Sequence, residues 1–233
     1  IGRSKENHLC LAFPSRQVSC VKKASMNNID YFAIPNTAKN SWTYDCDYES
    51  RFEELIDMTS PDVIHIWGTE YQHSLALVNA CKKKKVLNRC VVSIQGLVSV
   101  YTKYYLGNLS EKEKKSWTLR DIVKNNTLNI QKLHFQKRGE FETECLKSVC
   151  HVIGRTDWDK ALTSQINPNA EYHFNNENLR TGFYENKWSI NNCIPHRIFC
   201  SQAQYPIKGL DVLLKALPEI IKWYPDTKVV VGG

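Results

Sequence analysis

Three short stretches set glycine beside side chains that make directional hydrogen bonds: Gly68, Thr69 and Glu70; Gln95 and Gly96; Gly154, Arg155 and Thr156. Each follows an apolar run that reads as a strand, at 61–67, 90–94 and 150–153. Hydroxyl, amide, guanidinium and carboxylate groups at adjacent strand ends suit a polyhydroxylated ligand, and glycine lets the backbone approach it closely. Taken singly, each stretch also reads as an ordinary β-to-α turn with a polar cap. A fourth candidate is Lys208 with Gly209, just ahead of an amphipathic helix, where backbone N–H groups and the helix dipole favour an anion such as a diphosphate. The glycine-rich stretch of a Walker loop is missing there. His65, His73 and His173 are ambiguous between core packing and chemistry. No Ser-His-Asp set or carboxylate pair can be assembled from spacing, and no metal ligands are expected.

These groups need a parallel sheet to bring them to one edge. Strand, helix and strand at 61–67, 70–84 and 90–94 have the spacing of a right-handed crossover between parallel neighbours. Strands are also expected at 9–13 and 30–34, joined by a polar, lysine-containing connection, and at 171–174. Helices are expected at 48–58, 129–147 and 157–166, the last capped by Asp157. Residues 97–127 are aromatic and charged and read as a loop followed by a helix. The Asn-rich segment 175–195 reads as a linker. Beyond it, 197–201 is a strand, Gly209 opens a helix with Leu210, Leu213, Leu214, Leu217 and Ile221 on one face, and 228–231 is a second strand. The fold class is therefore α/β: a Rossmann-like parallel sheet flanked by helices over 1–195, then the first β-α-β of a second Rossmann-like domain over 196–233. Such a domain needs more strands to close a core, so the chain is expected to be one half of a two-domain protein plus the opening of the other. The strand at 229–231 is then expected to lack a neighbour and to invite association.

Composition narrows the field. Of 233 residues, 42% are hydrophobic and 11% aromatic, which supports a packed core rather than disorder. Nine cysteines, an odd number with no C-x-x-C pair, argue against a zinc site and for a reducing cytoplasm. The net charge of +7 is concentrated at Lys82–Lys85, at Lys22 and Lys23, and at 112–115. These clusters read as solvated helix ends or as surfaces for anionic lipid headgroups at the inner face of a membrane. The basic residues are not interleaved with aromatics in a nucleic-acid module, so no nucleic acid partner is expected.

Four strings carry a resemblance. PDVIHIWGTEYQHSLALV (61–78), SIQGLVSVYTKYYLGNL (93–109), CHVIGRTDWDKALTSQINPNAEYHFNNENLR (150–180) and SQAQYPIKGLDVLLKALPEIIKWYPDTKVVVGG (201–233) resemble the family 4 (group 1) glycosyltransferases of GT-B fold, most of all a bacterial subgroup that builds surface polysaccharides. The resemblance implies two Rossmann-like domains facing across a cleft, acceptor on the first and nucleotide-diphosphate sugar on the second. It implies transfer of a hexose with retention of configuration to a glycan or lipid-linked acceptor, without a cofactor or a required metal. Carried over, Lys208 with Gly209 matches the diphosphate-binding lysine motif, and Gln95 lies where many members have a histidine near the transferred sugar. Gln95 and Glu70 would orient hydroxyls at the reacting centre. Gly68, Thr69, Gly96, Arg155 and Thr156 would line the acceptor side, and Asn176 and Glu177 the hinge. Two departures stand out: Gln202 replaces an arginine six residues before the lysine, and the late acidic donor motif is expected beyond Gly233. The competing expectations are a non-catalytic carbohydrate- or anion-binding or degenerate fragment of such an enzyme, and another GT-B enzyme such as a sugar-nucleotide epimerase.

Overall fold

The computed structural model describes residues 7–107 and 109–232. Its first motif is set by an asparagine pair. Leu9–Ser15 (β1) runs parallel to a later strand and is followed by Lys22–Met26 (β2). Asn27 and Asn28 then adopt φ of 53° and 61°, a two-residue I′ turn that suits the twist of a hairpin. The turn folds β2 back on Ile29–Pro35 (β3), with Met26 opposite Ile29, and β3 pairs with β1 on its other side. The polar connection expected between the first two strands is therefore itself a strand. All five of its residues are exposed, so no apolar alternation marks it. On β3, by contrast, Asp30, Phe32 and Ile34 alternate inward.

Asp47–Thr59 (α1) buries Tyr48, Phe52, Leu55 and Ile56, one stripe of a 3.6-residue period. The central sheet follows: Ile64–Trp67 (β4), Gln72–Lys83 (α2) and Cys90–Ser93 (β5), then Val98–Tyr101 (α3), Glu111–Lys115 (α4), Leu119–Val123 (α5) and Leu128–Ser148 (α6), and finally His151–Gly154 (β6), Asp157–Ile166 (α7) and Glu171–Phe174 (β7). The four strands are parallel and stand in chain order, β4-β5-β6-β7. Helical crossovers thus bring every carboxyl end to the same edge of the sheet. Ile66, Val92, Val152, Ala76, Val78 and Leu146 are among the buried core residues. Cys81, Cys90 and Cys145 join them with no exposure, and all nine cysteines are free. Burial pushes the Cys145 thiol up to about 12, so it acts as a small apolar residue rather than a nucleophile.

The chain divides into two units, one of 1–99 with 137–175 and one of 100–136 with 176–233. The second unit therefore takes in 100–136 and 176–195, which the sequence alone assigns to the first domain and its linker. It holds Thr181–Glu185 (α8), Arg197–Cys200 (β8), Leu210–Trp223 (α9) and Lys228–Val231 (β9). β8 and β9 pair in parallel across α9, so the β-α-β reading of this end holds. The expected apolar face of α9 is only partly covered: Leu210, Leu213 and Leu217 are half-buried, while Leu214 and Ile221 are exposed. Among the described residues no helix is long and apolar enough to cross a membrane.

Candidate functional site

The end of β4 gathers the first group of candidates. Gly68 has φ of 90° and its N–H donates to the Ser93 carbonyl at 3.0 Å, which ties the turn to β5. A Cβ added there would lie 3.3 Å from Glu70 Oε2 and 3.6 Å from Gln95 Cγ. Glu70 and Gln95 thus converge on a position where a side chain would be both strained and crowded. Gln95 is exposed. Glu70 is not a free base: Oε2 accepts from the Thr69 N–H at 3.2 Å, and Oε1 pairs with Arg138 Nη2 at 3.3 Å. The Arg138 guanidinium also lies over the Tyr71 ring, 4.8 Å from its centroid. A carboxylate held in this way is suited to accepting hydrogen bonds in a fixed direction.

Arg155 and Thr156 occupy the end of β6. Arg155 Nη2 donates to the Gln95 carbonyl at 3.2 Å and so links two of the predicted stretches. Thr156, rather than Asp157, is the N-cap of α7. Its Oγ1 accepts from the Asp159 N–H at 3.0 Å, and Asp159 Oδ2 accepts from the N–H groups of Thr156 and Arg155. The Thr156 hydroxyl oxygen is therefore engaged as an acceptor in the cap. Gly154 has a local reason as well, since a Cβ there would meet the Tyr172 hydroxyl at 2.5 Å. That hydroxyl donates to the Thr156 carbonyl at 3.1 Å. Gly96 is half-buried between Gln95 and α3. Asn176 and Glu177 follow β7 in an irregular segment, where the chain passes from one unit to the other.

Thr69 corrects the sequence reading most clearly. It is fully buried, and its Oγ1 donates to Glu142 Oε2 at 3.1 Å. Glu142, on α6, escapes any reading by spacing, yet it organises this whole edge. Its Oε2 also accepts from the Val98 N–H at 3.0 Å, and its Oε1 accepts from Ser99 N–H and Oγ at 2.9 and 2.6 Å. One carboxylate with no exposure thereby holds the β4 turn and the first N–H groups of α3. Burial pushes this carboxyl above its ordinary value, while the four hydrogen bonds, all donated to it, pull the other way.

Three residues before Glu142, Gly139 lets α6 approach. A Cβ there would lie 2.7 Å from Ser99 Cα. Gly139→Ala forces backbone apart at a cost of about 1–3 kcal/mol, offset by the 0.5–1 kcal/mol that alanine gains inside a helix. Urea denaturation should show a net loss of about 1–2 kcal/mol, whereas at an open helical site the same change would stabilise the protein.

The second unit carries Lys208 and Gly209. Pro206–Lys208 forms a 3-10 turn that ends at Gly209, whose φ of 76° makes the bend into α9. Tyr205 fixes this turn by packing edge-on to Phe135 at 5.0 Å and against Tyr105 at 6.1 Å. Tyr105 is itself buried and donates to Gln131 Oε1 at 2.7 Å. Beside the turn lies a pocket of about 630 Å³ whose lining includes Gly209, Lys103, Lys114, Lys115 and Lys132 with the acids Glu111 and Asp211. Four lysines against two carboxylates leave the lining cationic, and each carboxylate is already met by a lysine, Glu111 by Lys114 at 2.7 Å and Asp211 by Lys215 at 3.5 Å. Lys208 is exposed on the adjoining turn. An anion with several oxygens fits this field and the N-terminus of the 14-residue α9.

By architecture the chain is an α/β protein with parallel strands joined by helical crossovers, polar at the strand ends in one unit and lysine-rich at a helix start in the other. Compared with protein-family models, curated proteins and solved structures, it matches none.

Proposed function

We propose that the chain belongs to a retaining, nucleotide-sugar-dependent glycosyltransferase of GT-B fold that passes a hexose to a glycan or lipid-linked acceptor in polysaccharide biosynthesis. The observation that carries this reading is the lysine-lined pocket opening at Gly209, where α9 begins. A diphosphate needs several cationic and N–H partners to offset its lost hydration. The pocket lysines supply the cations, joined by Lys208, which stands exposed on the adjoining turn and outside the pocket lining, and the first turn of α9 supplies the N–H groups. The same charges would stabilise the negative charge that grows on the departing diphosphate. On the other unit, the Gln95 amide and the Arg138-anchored Glu70 carboxylate are suited to hold sugar hydroxyls in place. The basic clusters at 82–85 and 112–115 are compatible with work at the cytoplasmic face of a membrane.

A second reading, a non-catalytic carbohydrate- or anion-binding protein, is favoured by one feature: Glu70 is committed to its ion pair, so neither candidate catalytic residue is a ready base. Calorimetric titration with UDP, GDP and their sugars tests the proposal. Saturable binding is expected, weakened about ten- to a hundredfold by Lys208→Ala, the worth of one charged hydrogen bond. Failure to bind either nucleotide, or indifference to Lys208→Ala, would overturn it. Binding without sugar transfer to any acceptor would favour the second reading.

A further inference from the structure

We propose a transition-metal site on the outer pair of strands of the central sheet, formed by His151, Glu171 and His173. It is independent of the transferase reading. The register builds it: β6 and β7 are parallel with His151 beside Glu171, and His173 follows two residues on, so all three side chains stand on one face. His151 Nδ1 lies 3.1 Å from His173 Nε2 and 3.6 Å from Glu171 Oε2, and one ligand atom from each residue can be chosen with all within 4.8 Å. Metal–ligand bonds of about 2.0–2.1 Å put tetrahedral ligand atoms roughly 3.3 Å apart, so these separations need only small rotations. In the metal-free form one imidazole donates to the other. Both nitrogens become ligands once that proton sits on the far nitrogen of its ring. The His151, Glu171 and His173 side chains are 36%, 68% and 41% exposed, so an ion can enter and a water can take a fourth position. Two imidazoles and a carboxylate select zinc or a similar borderline ion over calcium or magnesium.

The site escapes reading by spacing because its ligands come from two strands. Its consequence is mechanical: β7 is the last strand of the sheet, and a bound ion would pin it to β6. A second cluster, His8, Cys10 and Asp30, lacks this character. There the carboxylate already faces Lys23 Nζ at 2.8 Å and Ser25 Oγ at 2.5 Å, so an ammonium holds the place a cation would take.

Tag-free, reduced protein titrated with zinc chloride at neutral pH should bind one equivalent saturably. His151→Ala and His173→Ala should each weaken that binding at least tenfold, no less than the loss of an outer-shell partner costs, and His8→Ala should not. Zinc should also raise the Tm of the wild type but not of His173→Gln, a variant that preserves the strand. Cobalt should give visible d–d absorption without a thiolate charge-transfer band. No saturable zinc binding, unchanged affinity in His173→Ala, equal loss in His8→Ala, or a thiolate band would each overturn the proposal.

Discussion

Glu142→Ala should destabilise the unit that contains it by about 3–5 kcal/mol, chiefly from two stranded backbone donors at about 1–3 kcal/mol each. The substitution strands two backbone N–H groups and two hydroxyls in the space the carboxylate leaves. Each unsatisfied buried donor costs about 1–3 kcal/mol, and the hydroxyls recover part of this by rotating. Glu142→Gln separates charge from shape. Whichever way the amide turns, its NH2 faces either the Val98 or the Ser99 N–H, so a donor meets a donor. Its loss should be smaller than that of alanine yet still above 1 kcal/mol. Urea or guanidinium unfolding at neutral pH measures both. A glutamine variant as stable as wild type would show that the carboxylate is not the anchor of this edge.

Acid should weaken the same unit through His73. The ring stacks on Tyr71 at 5.3 Å and 8° and sits 6.2 Å from Tyr48, which is fully buried. Burial pushes the imidazole down to about 4. An unfolded histidine titrates near 6.5, so between these values the unfolded chain binds the extra proton. The contribution is therefore present above pH 6.5 and lost as pH falls through about 4. At 1.36 kcal/mol per pH unit it amounts to at most about 3 kcal/mol. His73→Phe keeps the stacking and removes the proton site, so its stability should fall less between pH 7 and pH 4.5. Glu142, pushed upward by burial, titrates with the opposite sign but is common to both proteins, so their difference isolates His73. Parallel stability curves for the two proteins over that range would refute the assignment.

How far these features could be read from the sequence follows from how local their causes are. Strands β4 to β7 and helices α1, α2, α6, α7 and α9 announce themselves through apolar runs and periodicity, so the parallel sheet and its common carboxyl edge were accessible. Lys208 and Gly209 were accessible too, because a glycine bend at a helix start is written in adjacent residues. β2 was not, since its five exposed residues carry no alternation. The Asn27-Asn28 pair was its one local sign. The cap role of Thr156 was legible too, in the T-x-x-D pattern it makes with Asp159. Thr69 and Glu142 could not be joined by any pattern, being 73 residues apart and meeting only because α6 packs on the β4 turn. The division of the chain between two units likewise depends on how 100–136 packs, and the apolar and charged residues there show no period.

The fit of Tyr172 over Gly154 has a bearing on divergence. With the hydroxyl filling the space of a Cβ, position 154 cannot drift alone: a side chain there requires a smaller or displaced partner at 172. Homologous sequences should therefore show the two sites substituting together, and a double-mutant cycle on the pair should depart from additivity.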